Sequence, residues 1–276
     1  MATARNGDVE LSYESFGDPG LPTLLLVNGL GSQSTNYDEA WCRLFAAEGF
    51  RVVRFDNRDV GLSSKLDGVE YSLGDMADDA VAVLDALEVE RAHVMGCSLG
   101  GMIVQRLAID HPDRLLTMTS VMSRTGEPGY GDSSEEALAF LTTPPPAGRA
   151  AYVDRQVAAL HVYGSKPEWL DDDAIRARAG AAYDRCFCPE GIRRQMLAAL
   201  RDGSRTEQLR GLDLPTLVLH GSRDTLIDPS GGRRTAEVVP GARYVEIEGM
   251  GHDYPPPVWP TWVEAWSSFA HAHAGG

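Results

Sequence analysis

The most informative stretch of this sequence is residues 92–102, which read Ala-His-Val-Met-Gly-Cys-Ser-Leu-Gly-Gly-Met. The stretch holds the pattern Gly-x-Ser-x-Gly between a short apolar run and a helical pattern, so Ser98 is predicted on a sharp strand-to-helix turn with its hydroxyl exposed. Gly96 and Gly100 occupy the two positions where a side chain would collide with the tightly folded backbone. The pattern is only moderately specific alone, and it predicts a nucleophile when partners for the serine exist elsewhere.

Two candidate partners for this serine follow later in the chain, each after an apolar run typical of a buried strand. Residues 215–220 lead into Gly-Ser-Arg-Asp, which ends at Asp224, and residues 243–247 lead to Gly-Met-Gly-His, which ends at His252. A serine hydroxyl needs a base at neutral pH, and the pKa of histidine suits that task. His252 is therefore predicted as the base, and Asp224 as the carboxylate that holds its ring in one tautomer.

The acid has an alternative in Asp228, which lies a few residues after Asp224 in the same loop. Asp228 directly precedes Pro229, so its side chain could instead cap the helix that follows. Asp224 fits the turn Gly-x-x-Asp after the apolar run better than Asp228 does. The sequence therefore favours Asp224 as the acid and predicts a capping role for Asp228.

The order Ser98, Asp224, His252 is the one used by α/β-hydrolases, and the chain resembles that family over nearly its whole length. Residues 27–31, Val-Asn-Gly-Leu-Gly, resemble the oxyanion loop of the family, and residues 55–63 resemble its segment after the next strand. Within the family, the sequence is similar to small actinobacterial esterases, including anthracycline methylesterases. The serine also distinguishes the chain from relatives with an aspartate nucleophile.

Attack by the serine creates an oxyanion, which needs two backbone N–H donors held in place beforehand. The N–H of Leu99 is predicted as one donor, because it comes at the start of a helix where the helix dipole also helps. The resemblance implies the N–H of Leu30 as the second donor. The sequence departs from the family at Asn28, where many relatives have histidine, and at Asp59, where many have glycine.

Strand and helix signals alternate over residues 1–123, which predicts an α/β fold with a mostly parallel, twisted sheet flanked by helices. Strand signals vanish over residues 124–206 and resume over residues 207–276. The resemblance therefore implies an α/β-hydrolase core of residues 1–123 and 207–276, with residues 124–206 inserted as a helical cap after the sixth strand. Strands are predicted at residues 9–14, 23–27, 52–55, before Ser98 and at residues 115–122, and helices at residues 37–48, 75–87, 99–111, 135–141, 147–161, 173–185 and 189–201.

The composition argues against some classes of binding partner. Forty acidic and 25 basic residues give a formal charge of −15, which repels nucleic acid and anionic membranes, so neither is expected as a partner. The N-terminus has no apolar signal region, and no apolar run approaches the ~20 residues that span a bilayer, so a cytoplasmic protein is expected. The sequence leaves the oligomeric state open, with a homo-oligomer as one option.

The cysteines predict neither a metal site nor a disulfide framework. Four cysteines are present, and their spacing matches no zinc pattern. Cys186 and Cys188 form a close pair, which could hold a soft metal or form a strained disulfide, although free thiols are the favoured interpretation. No phosphate-binding loop is present either. No metal and no cofactor is therefore expected.

Other residues near the predicted site are expected to be structural. Cys97 neighbours the serine, and its side chain is expected to point into the packed sheet as a small buried hydrophobe. Asp56 and Arg58 are expected to form an ion pair that anchors the nearby loops. His93 lies within the strand before the serine, and His220 is expected to pack against the acid loop. The aromatic residues of the last helix recur at helical spacing, which predicts core packing.

These observations predict a serine carboxylic-ester hydrolase that acts through an acyl-enzyme on Ser98. The same residues suit three alternatives, namely C–C bond hydrolysis of a β-diketone-type substrate, lactone opening and peracid formation. A ligand-binding protein on a hydrolase scaffold is a further alternative, against which the intact set of three site residues argues. An apolar pocket with an acidic rim is expected, so the substrate is predicted to be a small, neutral, apolar ester. The cap residues that could line this pocket are Phe140, Tyr152, Tyr163, Trp169, Tyr183 and Met196.

Overall fold

The structure of the protein is a computed structural model, and it describes residues 1–273. This part of the chain forms one sheet of eight strands and ten α-helices. The strands are β1 (Ala2–Asn6), β2 (Val9–Phe16), β3 (Thr23–Val27), β4 (Arg51–Phe55), β5 (Ala92–Cys97), β6 (Leu115–Val121), β7 (Thr216–Gly221) and β8 (Arg243–Ile247). The helices are α1 (Glu39–Ala47), α2 (Leu73–Ala86), α3 (Leu99–Asp110), α4 (Glu135–Thr142), α5 (Arg149–Tyr163), α6 (Asp172–Arg185), α7 (Pro189–Asp202), α8 (Thr206–Leu209), α9 (Ser230–Val238) and α10 (Trp259–Ala272).

The strands of the sheet lie in the order β1-β2-β4-β3-β5-β6-β7-β8. Strand β2 runs antiparallel to its neighbours β1 and β4, and the other neighbouring pairs are parallel. Parallel strands need crossover connections, and helices supply them on both faces, so central strands are buried on both sides. Every residue of β3 and β5 is buried accordingly. The predicted α/β fold with a mostly parallel sheet is confirmed.

Strand β1 is an element that the sequence analysis did not predict. Its residues pair with β2 from Ala2 opposite Tyr13 to Asn6 opposite Val9. Ala4 is its one buried residue, so no alternating apolar pattern marks the segment. Backbone pairing at the sheet edge, rather than burial of side chains, makes this segment a strand.

Two hydrophobic clusters cover the two faces of the sheet. One cluster joins the sheet to α2 and α3, and the other joins it to α1 and α10. Successive residues of β3 alternate between them, because neighbouring side chains of a strand point to opposite faces. Trp262 and Trp266 of α10 are fully buried in the second cluster, as predicted, and Trp259 is only partly buried.

Helices α4 to α7 lie between β6 and β7, at the carboxyl ends of the parallel strands, and we refer to them as the helical insertion. Two of them carry arginines that pair with buried carboxylates of the sheet loops. Arg185 of α6 lies 2.7 Å from Asp56, and Arg194 of α7 lies 2.7 Å from Asp59. None of the helices in residues 1–273 is long and apolar enough to cross a bilayer.

The prediction that Asp56 and Arg58 form an ion pair with each other is wrong. Asp56 pairs with Arg185 of the helical insertion, whereas Arg58 pairs with Asp79 of α2 at 2.6 Å. Strand β4 ends at Phe55, so both residues lie in the loop that follows, and this loop directs each side chain to a different layer. Both residues anchor loops, as expected, but each does so through a partner distant in sequence.

Asp59, which is expected to depart from the pattern of the resembled family, also has a structural explanation. Asp59 has a φ of 73°, in the left-handed region that glycine tolerates best. Its fully buried carboxylate accepts hydrogen bonds from Arg194, from the Tyr71 hydroxyl and from the N–H of Leu66. These contacts offset the backbone strain and attach α7 to the loop after β4.

Candidate active site

Ser98 lies on a strained turn between β5 and α3. Its φ of 57° and ψ of −119° are unfavourable for a residue with a side chain. The turn closes this tightly because Gly96 and Gly100 carry no Cβ. An added Cβ would lie 2.0 Å from the Gly100 carbonyl oxygen at Gly96, and 2.1 Å from the Val27 carbonyl oxygen at Gly100. The half-buried Ser98 side chain therefore stands at the carboxyl end of the central strand.

His252 and Asp224 meet at the carboxyl ends of β8 and β7. The Nδ1 atom of His252 lies 2.7 Å from Oδ2 of Asp224. A carboxylate accepts this bond, so Nδ1 donates and Nε2 is left free to accept a proton. Within residues 1–273 no hydrogen bond joins the Ser98 hydroxyl to the His252 ring, although both line one cavity. Such bonds often tighten only when substrate is bound.

The Asp224 carboxylate is held in place by several donors. Its Oδ1 accepts hydrogen bonds of 2.9 Å from the backbone N–H groups of Leu226 and Ile227. Burial alone would raise the pKa of Asp224, but the charge of His252 and the hydrogen bonds from His220 and His252 lower it below its ordinary value. The carboxylate therefore stays ionised beside the imidazole and accepts the hydrogen bond from Nδ1 of His252.

His220 occupies the supporting position expected for it, and Asp228 does so in part. Nε2 of His220 donates to the Ile227 carbonyl at 2.8 Å and lies 3.3 Å from Oδ2 of Asp224. His220 is fully buried, so it packs against the acid loop as predicted. The carboxylate of Asp228 accepts from the N–H of Ser230 at 2.9 Å, at the start of α9. Asp228 thus closes a turn just before α9, but the N-cap residue is Pro229 and makes no side-chain cap hydrogen bond, so the predicted capping role is met only in part.

The helical insertion also holds the loop that carries His252. The N–H of His252 donates to the Tyr163 carbonyl at 2.7 Å, and the two rings meet edge to face with centroids 6.0 Å apart. The N–H of Gly251 donates to the Ser165 hydroxyl at 3.0 Å, and Ser165 in turn donates to Asp253. Sequence reasoning missed Ser165, because nothing in its spacing links it to a loop more than 80 residues away.

The two backbone donors proposed for an oxyanion lie beside Ser98. Leu99 is the first residue of α3, and Leu30 follows Gly29 in the loop after β3. An added Cβ at Gly29 would lie 3.2 Å from the Cys97 carbonyl oxygen and 3.3 Å from Cβ of Ser98, so this loop packs directly on the turn. In the part of the chain that the structure describes, the N–H groups of Leu30 and Leu99 have no hydrogen-bond acceptor. They are free to bind an anion.

A cavity of about 420 Å³ opens above Ser98 and His252, between the sheet loops and the helical insertion. Four of the six residues predicted for its lining do line it, namely Phe140, Tyr152, Tyr163 and Trp169. Tyr183 packs against the rings of Tyr152 and Phe187 instead, within the insertion, and Met196 is absent from the lining. The walls are largely aromatic and aliphatic, which suits an apolar ligand.

The prediction that this cavity has an acidic rim is wrong. Its charged lining residues are Asp171, Asp253, Arg155 and Arg178, two of each sign. The guanidinium of Arg155 donates to the carbonyls of Phe140 and Thr143 and lies over the Phe140 ring. The exposed Arg178 has no ion-pair partner among residues 1–273. The acidic residues of the insertion lie mostly on its outer surface, which a sequence pattern cannot distinguish from the pocket face.

The cysteines give no sign of nucleophilic or metal chemistry. Burial raises the pKa of Cys97 to about 12, so its thiol stays protonated at neutral pH. Its side chain belongs to the cluster that contains α1 and α10, as expected. All four cysteines are free thiols. Residues 1–273 contain no cluster of three or more side chains suited to hold a metal ion.

Comparison with known proteins matches the α/β-hydrolase fold family over residues 22–254. The chain is similar to rhodomycin D methylesterase DauP of Streptomyces sp. (strain C5), with 33% identity over 274 residues and 90% of each chain covered. It is equally similar to rhodomycin D methylesterase DnrP of Streptomyces peucetius, with 33% identity over 276 residues and 91% of each chain covered. A crystal structure of a hydrolase from Pseudomonas aeruginosa PA01 superimposes with a TM-score of 0.76 at 26% identity, covering 100% of this chain and 98% of that one.

These matches confirm the resemblance expected from the sequence, including its link to actinobacterial esterases. The family match includes the Ser98 turn, the Asp224 loop and His252. The eight-stranded, mostly parallel sheet agrees with this fold. The chain belongs to the α/β-hydrolase family.

Proposed function

We propose that the protein is a serine hydrolase that cleaves carboxylic esters through an acyl-enzyme on Ser98. The observation that carries this proposal is the 2.7 Å contact between His252 Nδ1 and Asp224 Oδ2, with His252 lining the same cavity as Ser98. His252 Nε2 removes the Ser98 proton as the hydroxyl oxygen attacks the ester carbonyl carbon. The N–H groups of Leu30 and Leu99 stabilise the resulting oxyanion.

His252 acts as an acid and then again as a base in the steps that follow. The tetrahedral intermediate collapses, the ester C–O bond breaks, and His252 returns the proton to the departing alcohol. A water molecule then enters, gives its proton to His252 and attacks the acyl-enzyme, which releases the acid and restores Ser98. No step needs a cofactor, because each proton and electron pair comes from the ester, the water or these residues.

One similarity and one property of the cavity support an ester as the substrate. The relatives from Streptomyces are named methylesterases, and a small alcohol leaves most of the cavity for the acid portion. The cavity of about 420 Å³ has an aromatic lining, within the range that binds small organic molecules. Methyl esters of apolar, aromatic acids are therefore the first substrates to assay.

The decisive experiment is a panel of substrates with one enzyme preparation. The panel compares p-nitrophenyl esters of increasing acyl length, aromatic methyl esters, lactones, a dienoic diketone and a peracid assay. We expect the highest kcat/KM for an ester. A higher kcat/KM for the lactone or the diketone, or faster peracid formation, would assign one of the alternative chemistries, which the same three residues suit. The absence of both turnover and fluorophosphonate labelling would indicate a ligand-binding protein instead.

We propose that residues 124–206 act as a cap over this site. Phe140, Tyr152 and Trp169 from this segment line the cavity above Ser98. Hydrogen bonds from the His252 loop to Tyr163 and Ser165 join the segment to the site. A segment placed in this way excludes bulk water from the acyl-enzyme and selects the acid portion of the substrate.

A neutral ester is expected to react faster than an anionic ester of the same size. The lining is mostly apolar, and the formal charge of −15 repels an approaching carboxylate. At low salt, kcat/KM is expected to be roughly tenfold or more higher for the neutral ester than for the anionic ester. This ratio should decrease at high salt, because ions screen the negative field of the protein. Equal or faster turnover of the anionic ester would contradict this and would implicate Arg178, which lines the cavity.

Chelators and reductants are expected to leave ester turnover unchanged. The proposed reaction uses no metal, and the four cysteines are free thiols that take no part in it. The measurement is kcat/KM after dialysis against EDTA, and separately with dithiothreitol present. Loss of turnover in EDTA that zinc restores would contradict the prediction, and it would direct attention to Cys186 and Cys188.

A further inference from the structure

The loop that carries Leu30 is held by a side chain of the helical insertion. Gln195 of α7 is fully buried, and its Oε1 accepts a 2.9 Å hydrogen bond from the N–H of Gly31. Its Nε2 donates to the Arg58 carbonyl at 2.8 Å. One amide therefore joins three parts of the molecule, namely the loop after β3, the loop after β4 and α7.

Helix α7 also lies in close contact with this loop. Gly31 has a φ of 67°, and a Cβ added there would lie 2.9 Å from Cγ1 of Ile192. A Cβ added at Gly191 would lie 2.4 Å from the Asp59 carbonyl oxygen. The buried ion pair of Arg194 with Asp59 fixes the same turn of α7. Gln195 therefore projects from a helix that has little freedom to move.

The far end of the loop is attached to α6 in a comparable way. Gln33 donates to the carbonyls of Ala182 at 2.7 Å and Cys186 at 3.0 Å, and its Oε1 accepts from Arg185 at 2.7 Å. The N–H of Ser34 donates to Asp56 at 2.6 Å. Within this loop the Gly29 carbonyl accepts a 3.2 Å backbone hydrogen bond from the N–H of Ser32, and the contact of Gln195 with Gly31 is the side-chain hydrogen bond nearest to Leu30.

We propose that Gln195 is a positioning residue that sets the direction of the Leu30 N–H toward the oxyanion. The proposal rests on the proposed function, in which Leu30 is one of the two donors. The Gly31 N–H belongs to the peptide that directly follows Leu30, so anchoring it restricts the rotation of the neighbouring Gly29–Leu30 peptide. Stabilisation of an oxyanion depends on donors that are oriented before charge develops. The helical insertion thus contributes to the oxyanion site as well as covering the pocket.

The test compares two buried glutamines that each make two side-chain hydrogen bonds. Gln195→Met removes the bonds to Gly31 and Arg58. The matched control, Gln105→Met, removes bonds to Ser120 and Arg205, neither of which belongs to the loop that carries Leu30. Both variants lose similar polar contacts, so similar decreases in Tm are expected. We expect Gln195→Met to lower kcat for a p-nitrophenyl ester roughly 10- to 100-fold with KM nearly unchanged, whereas Gln105→Met keeps kcat within about twofold.

A tetrahedral inhibitor gives a readout that a purely structural role would not alter. Phenylboronic acid adds to Ser98 and places an oxygen in the oxyanion site, so its inhibition constant should rise by about the same factor as kcat falls in Gln195→Met. Gln195→Glu keeps an oxygen that accepts from Gly31, so its kcat should lie between those of Gln195→Met and the wild type. This variant also provides the measurement if Gln195→Met does not fold.

Several outcomes would overturn the proposal. They are a kcat within about twofold of wild type in Gln195→Met, an equal loss in Gln105→Met, or an unchanged boronate affinity despite the loss in kcat. If Gln195→Glu is the only variant that can be measured, loss of all ester turnover together with loss of all boronate binding would also overturn the proposal. Failure of the proposed function itself is recognised separately, because Ser98→Ala would then retain ester turnover.

Discussion

Ser98→Ala is expected to lower kcat/KM for ester hydrolysis by roughly four to six orders of magnitude, because the variant lacks the atom that forms the acyl-enzyme. The fold should survive. The Ser98 side chain makes no hydrogen bond within residues 1–273, and the turn is shaped by Gly96 and Gly100. We therefore expect a free energy of unfolding within about 0.5 kcal/mol of wild type. The measurements are steady-state kinetics and denaturant unfolding of the purified variant.

Labelling with a fluorophosphonate provides the matched control for this prediction. The label should attach to Ser98 in the wild type and in Cys97→Ala, and it should be absent from Ser98→Ala. Cys97 is a suitable comparison, because it adjoins the nucleophile while burial raises the pKa of its thiol to about 12. A label mapped to Cys97, or substantial ester turnover by Ser98→Ala, would show that the nucleophile is assigned wrongly.

Asp224→Asn is expected to lower kcat by roughly 10⁴-fold with a smaller change in KM. In the wild-type protein the carboxylate accepts a 2.7 Å hydrogen bond from Nδ1 of His252. An asparagine can instead present its amide N–H to Nδ1, which favours the tautomer with Nε2 protonated. That tautomer cannot accept the Ser98 proton. The variant keeps an oxygen for the N–H groups of Leu226 and Ile227, so much of the loop geometry is retained.

The neighbouring Asp228 supplies the control for Asp224. Asp228→Ala removes the hydrogen bond to the N–H of Ser230, which should lower the free energy of unfolding by about 1 kcal/mol. Its kcat should remain close to that of the wild type, because Asp228 does not contact His252. A large loss of kcat in Asp228→Ala, together with a small loss in Asp224→Asn, would move the catalytic acid to Asp228.

Local sequence patterns identified the elements that depend on local chemistry. The apolar runs predicted the buried strands β3 and β5, because strands covered on both faces exclude polar side chains. The glycines around Ser98 predicted the tight turn, because a Cβ at either position would meet backbone atoms. Strand β1 was not predicted, because its pairing with β2 buries almost none of its side chains.

The sequence by itself determined the α/β fold and the order of Ser98, Asp224 and His252, because apolar periodicity and turn glycines are local signals. Only the tertiary structure decided which side chains pair across layers. Asp56 meets Arg185 rather than Arg58, the cavity charges are balanced, and Gln195 reaches Gly31 across 164 residues of sequence. The physical reason is that a hydrogen bond or an ion pair depends on positions within a few ångströms, and the packing of distant segments sets those positions.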